Sequence, residues 1–414
     1  MIIQRRWFKT SYGAKARNVI ADSGYLKTLL DIGTTKLFHG RTTYVSIMIL
    51  KKTKQECADY DYIPGNDCID VINYLSKDDK KMKEIPMAFF QGRVWSPEFY
   101  DMTKIKEKYA KRIGTLGGNT SIHIRDGIQA LWKKIYHITQ CYEENNMIFG
   151  KNGFGENVCL EKDMVKPVIY NREFLPLKPL KPDAYCLFPY LGANNKVKVS
   201  INEIKDKYPK TYHYLSQNKV RICDHVDCNE GEYWHTFTRE HNHEWFTSKK
   251  VVVPMTTRDT VATYEGTNGF YMDNSNVWFI NIDSEDEIEL KAIAMIINST
   301  VFSVFAKSGA NPQSRDYYKF NKQFLVPVPF PNSRISKDNE FIRKLSRLYD
   351  EIVDIMKQYI QSGAANRIHF ESVLEEKWKD VDETCEEMYE LDDSDLYEIK
   401  KMGRTLSRIT GLER

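Results

Sequence analysis

The feature that most constrains this chain is a series of short β-type runs between residues 116 and 330. These are IHIRDG, KKIYHIT, KPVIYNREF, YCLFPYLG, KVKVSI, KKVVVPM, GFYMDN, NVWFINI and FLVPVPF, each ended by Gly, Pro or Asn. Regular short strands with such punctuation predict a curved, mostly antiparallel β region. Two helical stretches interrupt it, INEIKDKYPKTYHYLSQNKVRI and EDEIELKAIAMIINSTVFSVFAKS.

The flanks differ from this centre. Residues 1–55 predict a helix over Lys15–Leu30 with Arg17 on its polar side, then a hairpin of DIGTTKLF and YVSIMILKK. A helix and one hairpin hold too little core to stand alone, so this piece reads as the closing edge of a larger α/β sheet. Residues 56–115 read as a connecting region with two short strands, carrying Arg93 and Trp95, and ending in the basic helix MTKIKEKYAKRIG. Residues 331–414 predict helices over Asp338–Gln361 and Phe370–Met388, broken at Gly363, the second strongly acidic. An acidic helix pair avoids nucleic acid and suits packing against protein. The fold class is α+β: an α/β edge, a mostly antiparallel β domain with inserted helices, and a C-terminal helical segment.

Chemistry concentrates in Gly117–Thr139, GGNTSIHIRDGIQALWKKIYHIT. Asn119, Thr120 and Ser121 offer small polar side chains, followed by Arg125, Gln129 and Lys133. A glycine at position 127 lets backbone come close to a ligand. Arg and Gln beside it can reach phosphate or a base edge. The same residues also make an ordinary turn before a half-buried strand. Two later loops carry similar side chains: Thr257 and Arg258 after KKVVVPM, and Gln313, Arg315, Tyr317 and Lys319 in GANPQSRDYYKF. A net charge of +3 neither demands nor excludes DNA, so any such surface must come from local clustering.

The order of the pieces resembles a known family. Tyr12-Gly13, Arg17 and Leu37-Phe38 are similar to the end of the catalytic domain of TaqI-like and type IIG adenine-N6 DNA methyltransferases. Gly127-Ile128-Gln129-Ala130 resembles the first turn of their target-recognition domain. In the same order follow Lys166-Pro167-Val168-Ile169 with Arg172, Phe188-Pro189-Tyr190, Tyr208-Pro209 with Arg221, Trp245-Phe246 with Lys249–Pro254, and Asn298-Ser299 with Pro327–Pro329. The C-terminal VDETCEEMYELDDSDLYEIKKM resembles the closing helical segment of type IIG enzymes, with Glu390 in place of the usual Gly.

The resemblance implies a division into residues 1–55 (end of the catalytic domain), 56–115 (connection), 116–330 (target recognition) and 331–414 (helical region). It implies that Phe38 stacks against a flipped adenine, and that the DNA-contacting set is Asn119, Thr120, Ser121, Arg125, Gln129, Lys133, Arg172, Thr257, Arg258, Gln313, Arg315, Tyr317 and Lys319. The family's S-adenosylmethionine loop and Asn-Pro-Pro-aromatic motif are not in this sequence. Its one Asn-Pro, Asn311-Pro312, is followed by Gln313. The chain is therefore expected to bind no cofactor itself, S-adenosylmethionine belonging to a missing catalytic half, as in a split subunit or truncated gene product. The expected role is sequence-specific recognition of double-stranded DNA in a restriction–modification or related defence system, with a separate catalytic chain as partner. The alternative is a non-catalytic scaffold that docks a partner through the C-terminal helices.

Other chemistries are weaker. Cys223, His225, Cys228, His235, His241 and His243 crowd one stretch, but C-x4-C with H-x-H is not a standard zinc spacing, and no metal site is expected. No P-D…E/D-x-K nuclease pattern, GxSxG or P-loop stands out. The eight cysteines follow no framework spacing and are expected to be free thiols. With no secretory leader and no apolar run of membrane-span length, the expectation is a soluble cytoplasmic protein without a membrane partner.

Overall fold

The computed structural model describes residues 1–411 except 34, 36, 39–42, 64–66, 78–81, 93, 171–175, 178, 179, 268, 275, 276 and 314–316. It is an α+β structure with mostly antiparallel sheets.

The N-terminal sheet has five strands, in the order Ile2–Gln4, Val45–Leu50, Leu26–Asp31, Cys57–Tyr62, Lys83–Pro86. Its one parallel pairing joins Leu26–Asp31 to Cys57–Tyr62. The sheet thus continues past residue 55, and the two strands expected in the connection are part of it. The helix expected over Lys15–Leu30 is shorter, Ala14–Asp22. Gly24, at φ 67, turns the chain, and the leucines read as its last turns become a strand with Leu26 and Leu29 buried. Arg17 is not on a polar face. It is 3% exposed, and its Nη1 donates to the carbonyls of Trp7 and Thr10 at 2.5 and 2.9 Å, tying the helix to the preceding turn. Trp95 is buried among Trp7, Phe8 and Phe90, and its Nε1 donates to the Phe90 carbonyl. Arg93 lies outside the described residues.

The helix Tyr100–Ile113 leads out of this sheet and ends at Gly114, φ 87. The incoming chain then runs beside the outgoing one. Leu116 N donates to Val328 O, Gly117 N to Val326 O and Phe330 N to Gly114 O. FLVPVPF does not form the expected strand. Its start completes the short helix Lys322–Leu325, and pairing is limited to one bridge, Thr115 to Pro329. Pro327 and Pro329 supply no N–H to a ladder.

Between these points lie two sheets. One is four-stranded and antiparallel: Thr263–Glu265, Lys250–Pro254, Val277–Ile282, Ile122–Asp126. The other is six-stranded: Tyr271–Met272, Val165–Ile169, Ala184–Leu187, His137–Glu144, Met147–Lys151, Asn157–Glu161. KKIYHIT begins as a helical turn, Lys133–Tyr136, before its strand starts at His137. The first inserted helical stretch is two helices, Ile201–Lys207 and Pro209–His225, broken where proline removes a donor.

The second inserted stretch forms Glu287–Asn298 and Thr300–Gly309, buried from Leu290 on except at Lys291, Thr300 and Gly309. The C-terminal helices Glu340–Gln361 and Ala364–Tyr389 pack on them, joining Leu345, Ile352, Trp378 and Val381 to one core with Ile293 and Phe302. No single described helix is long and apolar enough to cross a membrane. The bent pair Glu287–Asn298 with Thr300–Gly309 passes by composition, and its apolar residues lie in this core. A third helix, Asp393–Met402, follows a turn at Glu390, whose φ of 51 explains the glycine seen there in the resembling family.

Candidate nucleic-acid interface

Gly127 is at a close approach, but to this chain rather than to a ligand. A Cβ there would overlap the Met272 carbonyl and lie 2.9 Å from the Asp273 carbonyl carbon. Ile128 N donates to Met272 O at 2.6 Å, and Asn274 N donates to Ile128 O at 3.2 Å. The glycine lets the end of the four-stranded sheet's edge strand clip onto the strand Tyr271–Met272 of the other sheet. This clip fixes where Gln129, half-buried, emerges.

Beneath it sits a buried charge cluster. Lys133 Nζ lies 2.6 Å from the Asp273 carboxylate, and His137 Nε2 lies 3.3 Å from it. Asp273 is fully buried and His137 nearly so. Burial pushes the Asp273 carboxyl up, but the nearby His137 ring and the Lys133 ammonium outweigh it and bring it down to about 2 from 3.8. Lys133, whose side chain stays 30% exposed, is therefore engaged in an ion pair with Asp273. A carboxyl depressed on folding stabilises the fold above its unfolded pKa and loses that contribution as pH falls through the folded value. Stability is expected to drop by roughly 2 kcal/mol between pH 5 and pH 1 from this group. Urea unfolding across that range checks it: Asp273→Asn should start less stable and lose less than the parent.

The other expected contacts divide. Thr257 is 7% exposed and its hydroxyl donates to the Asp259 carbonyl at 2.6 Å, so it is a structural residue. Arg125 lies 4.1 Å over the Trp245 ring, half-buried; burial lowers its pKa, with Glu244 and Asp283 opposing. Asn119, Thr120 and Ser121 lie at the far end of the strand Ile122–Asp126, about 17 Å from Gly127 by strand rise. There the Asn119 carboxamide accepts from Ser121 N. Arg172 and Arg315 lie outside the described residues. Phe38 is 46% exposed and follows the half-buried Leu37; residues 36 and 39–42 lie outside the described residues.

What remains is brought together. The strands Thr256–Thr257, Tyr318–Lys319 and Asn311–Pro312 form a small antiparallel sheet. Across it Arg258 stacks on Tyr317 at 5.4 Å. Gln313 N donates to Tyr317 O at 2.5 Å, closing the loop. Lys319 then lines an open groove of about 590 Å3 with Asn274, Trp278, Asn321, Lys322 and Gln323. Asn274 is hydrogen-bonded to Ile128, the residue before Gln129, and Lys319 pairs with Thr256, two residues before Arg258. Asn274, Asn321 and Lys322 were missed by sequence reasoning; the Asp-Asn and Asn-Lys pairs in their turns were the available signal.

The side chains of the cysteine- and histidine-rich stretch are taken up in separate contacts. Cys223 and Cys228 are joined in a disulfide, Cα–Cα 5.4 Å, against the expectation of free thiols. The chain turns back directly after the helix that carries Cys223 and brings the two within bridging range. His225 stacks on Trp132, while His235 and His243 are buried. Burial pushes His235 down to about 4. Among the described residues no three His, Cys, Asp or Glu side chains are grouped to hold a metal ion.

Comparison with known proteins fits this layout. The family model for the TaqI-like C-terminal specificity domain matches residues 199–330. Along 95% of its length the chain is 22% identical to the type II restriction enzyme and methyltransferase RM.Eco57I of Escherichia coli, covering 41% of that protein. The type IIL restriction–modification enzyme MmeI, solved in complex with DNA, shares the fold over 96% of this chain and 48% of its own, with TM-score 0.53 and 10% identity. The type IIG restriction endonuclease BpuSI aligns over 94% of this chain and 46% of its own, with TM-score 0.37 and 12% identity. The chain spans less than half the length of each of these relatives. Residues 199–330 thus match the TaqI-like C-terminal specificity domain, within a chain similar to the restriction enzyme and methyltransferase RM.Eco57I along nearly all of its length.

Proposed function

We propose that this chain reads a specific sequence of double-stranded DNA as the specificity part of a restriction–modification system. The specificity-domain match carries the reading. The groove between Gln129, Asn274 and the Arg258–Tyr317–Lys319 loops is where a duplex is read. Gln and Asn suit adenine, Arg suits guanine, and Lys319 and Tyr317 suit phosphate. Methyl transfer to adenine N6, with S-adenosylmethionine, requires a catalytic part outside these residues, and Phe38 is the wall offered to a flipped base. The scaffold alternative is weaker, because the apolar face of Glu340–Gln361 already packs on this chain's own core.

Selection from a random duplex pool, followed by gel shifts from about 50 to 200 mM salt, tests the reading. The expected outcome is an enriched site whose affinity falls steeply with salt. Arg258→Ala should cost about 1–3 kcal/mol on that site and relax preference at one position, whereas Lys319→Ala should weaken all duplexes alike. Labelled S-adenosylmethionine added to the complex should leave the DNA unlabelled. Failure to retain any duplex at the lowest salt would remove DNA recognition from consideration.

A further inference from the structure

Thr103, Lys106, Glu107 and Ala110 share one face of the helix Tyr100–Ile113, by their three- and four-residue spacing. That face lines a pocket of about 530 Å3, closed on the N-terminal side by Lys9 and Arg17 and opposite by Ser308, Gly309 and Phe324. The volume falls within the range of small-molecule sites. It lies where the N-terminal sheet meets the end of the helix Thr300–Gly309, and only Gln323 is shared with the groove described above.

Its charges are unbalanced. Lys106 is 9% exposed, and its ammonium makes no hydrogen bond or ion pair with a described residue. Lysine is almost never so buried without a partner. Lys9 is held by the Ala310 carbonyl at 2.8 Å and lies 3.6 Å from Glu98, which also serves Arg5. Arg17 commits Nη1 to two carbonyls, while its Nε is buried without a partner. Among the described lining residues three cations thus meet one carboxylate, Glu107. Burial, then the charge of Lys9, pushes Lys106 down to about 8, with Glu107 opposing. The negative end of the helix Thr300–Gly309 favours cations nearby but does not supply Lys106 with an acceptor. Phe89, Val94, Phe324 and Pro327 give the wall an apolar part, beside the hydroxyl side chains of Thr10, Ser96 and Thr115.

We propose that this pocket binds a small molecule joining a phosphate-type anion to a flat apolar body, the anion seated on Lys106 between Lys9 and Arg17. An anion there supplies the acceptor that the Lys106 ammonium lacks, and the apolar side chains take the ring.

Calorimetric titration of the full chain with phenyl phosphate, inorganic phosphate and phenol tests this. Phenyl phosphate should bind more tightly than either of the others. Lys106→Met should weaken it by at least about tenfold, the worth of one charge-assisted hydrogen bond. That variant removes an unpaired buried cation, so its melting temperature should hold or rise, separating lost binding from lost fold. Ala110→Phe, which fills the apolar side, should abolish phenyl phosphate binding with inorganic phosphate less affected. Affinity should fall as pH rises through about 8, as Lys106 loses its proton; the charged groups facing it are Arg17, Glu107, Glu98 and Lys9, whose own pKa burial also lowers. Equal phenyl phosphate affinity in parent and Lys106→Met, or no binding to the parent, would overturn the proposal. So would weaker DNA binding by Lys106→Met with phenyl phosphate affinity unchanged, which would give the lysine to the DNA backbone.

Discussion

Replacing Gly127 by alanine is expected to destabilise the protein by about 2–4 kcal/mol, more than most single methyl additions. The added carbon would overlap backbone at Met272 and crowd Asp273, and neither can turn away as a side-chain tip could. The clash falls on the clip between the two sheets, so the hydrogen bonds from Ile128 N to Met272 O and from Asn274 N to Ile128 O should open together. Thermal unfolding followed by circular dichroism gives the size of the effect. Gly269→Ala is the control, since a Cβ there makes ordinary contact with Thr267 Oγ1 at 3.4 Å, and it should stay within about 0.5 kcal/mol. If the two variants melt alike, the clip is not a structural necessity. Because Gln129 follows the clip, Gly127→Ala should also blunt DNA preference before it abolishes binding.

Asp259→Ala is expected to cost about 3–5 kcal/mol. The carboxylate is 1% exposed and gathers four donors: Lys307 Nζ at 2.5 Å, Ser303 Oγ at 3.2 Å, and the backbone N–H groups of Thr405 and Leu406, each at 2.8 Å. Lys307 is itself 5% exposed, so removing the acid leaves a buried cation poorly compensated. The loss should recover by roughly half or more in Asp259→Ala with Lys307→Met, where no charge is stranded. The two backbone donors place the last residues of the chain under the same control. Limited proteolysis should find the segment after Gly403 cut early in the single variant and protected in the parent.

The fold was legible where the local pattern and the tertiary context agree. IHIRDG, KKVVVPM and NVWFINI became neighbouring strands because each is a punctuated run with β-branched residues, the last two buried on both faces and the first alternating as an edge strand. Lys15–Leu30 misled because LKTLL satisfies helical and strand spacing alike over so short a span, and the left-handed turn at Gly24 decides between them. FLVPVPF misled because apolar character is not pairing capacity: two prolines cannot donate.

The site was legible in kind more than in position. Side-chain type pointed to the loops at 129, 258 and 313–319; of these residues Lys319 lines the groove, and Arg258 and Tyr317 lie against each other. It could not tell that Lys133 would be claimed by Asp273, 140 residues away, or that Thr257 would turn inward. Nor could spacing reveal that Ser121 and Gln129, close in sequence, stand at opposite ends of a strand. Those facts depend on long-range pairing, which no local propensity encodes.

The side-by-side course of residues 114–117 and 326–330 has a practical consequence for altering what the chain reads. Both ends of the intervening segment pass through one narrow neck, so a replacement segment from a relative could be spliced in at two neighbouring seams. A transplant limited to residues 199–330 would instead leave Ile122–Asp126 facing a foreign Val277–Ile282 along five register positions. Chimaeras cut at the neck are expected to be recovered folded more often than those cut at residue 199. They would still need Asp259 and its donors matched, because that anchor reaches across the seam.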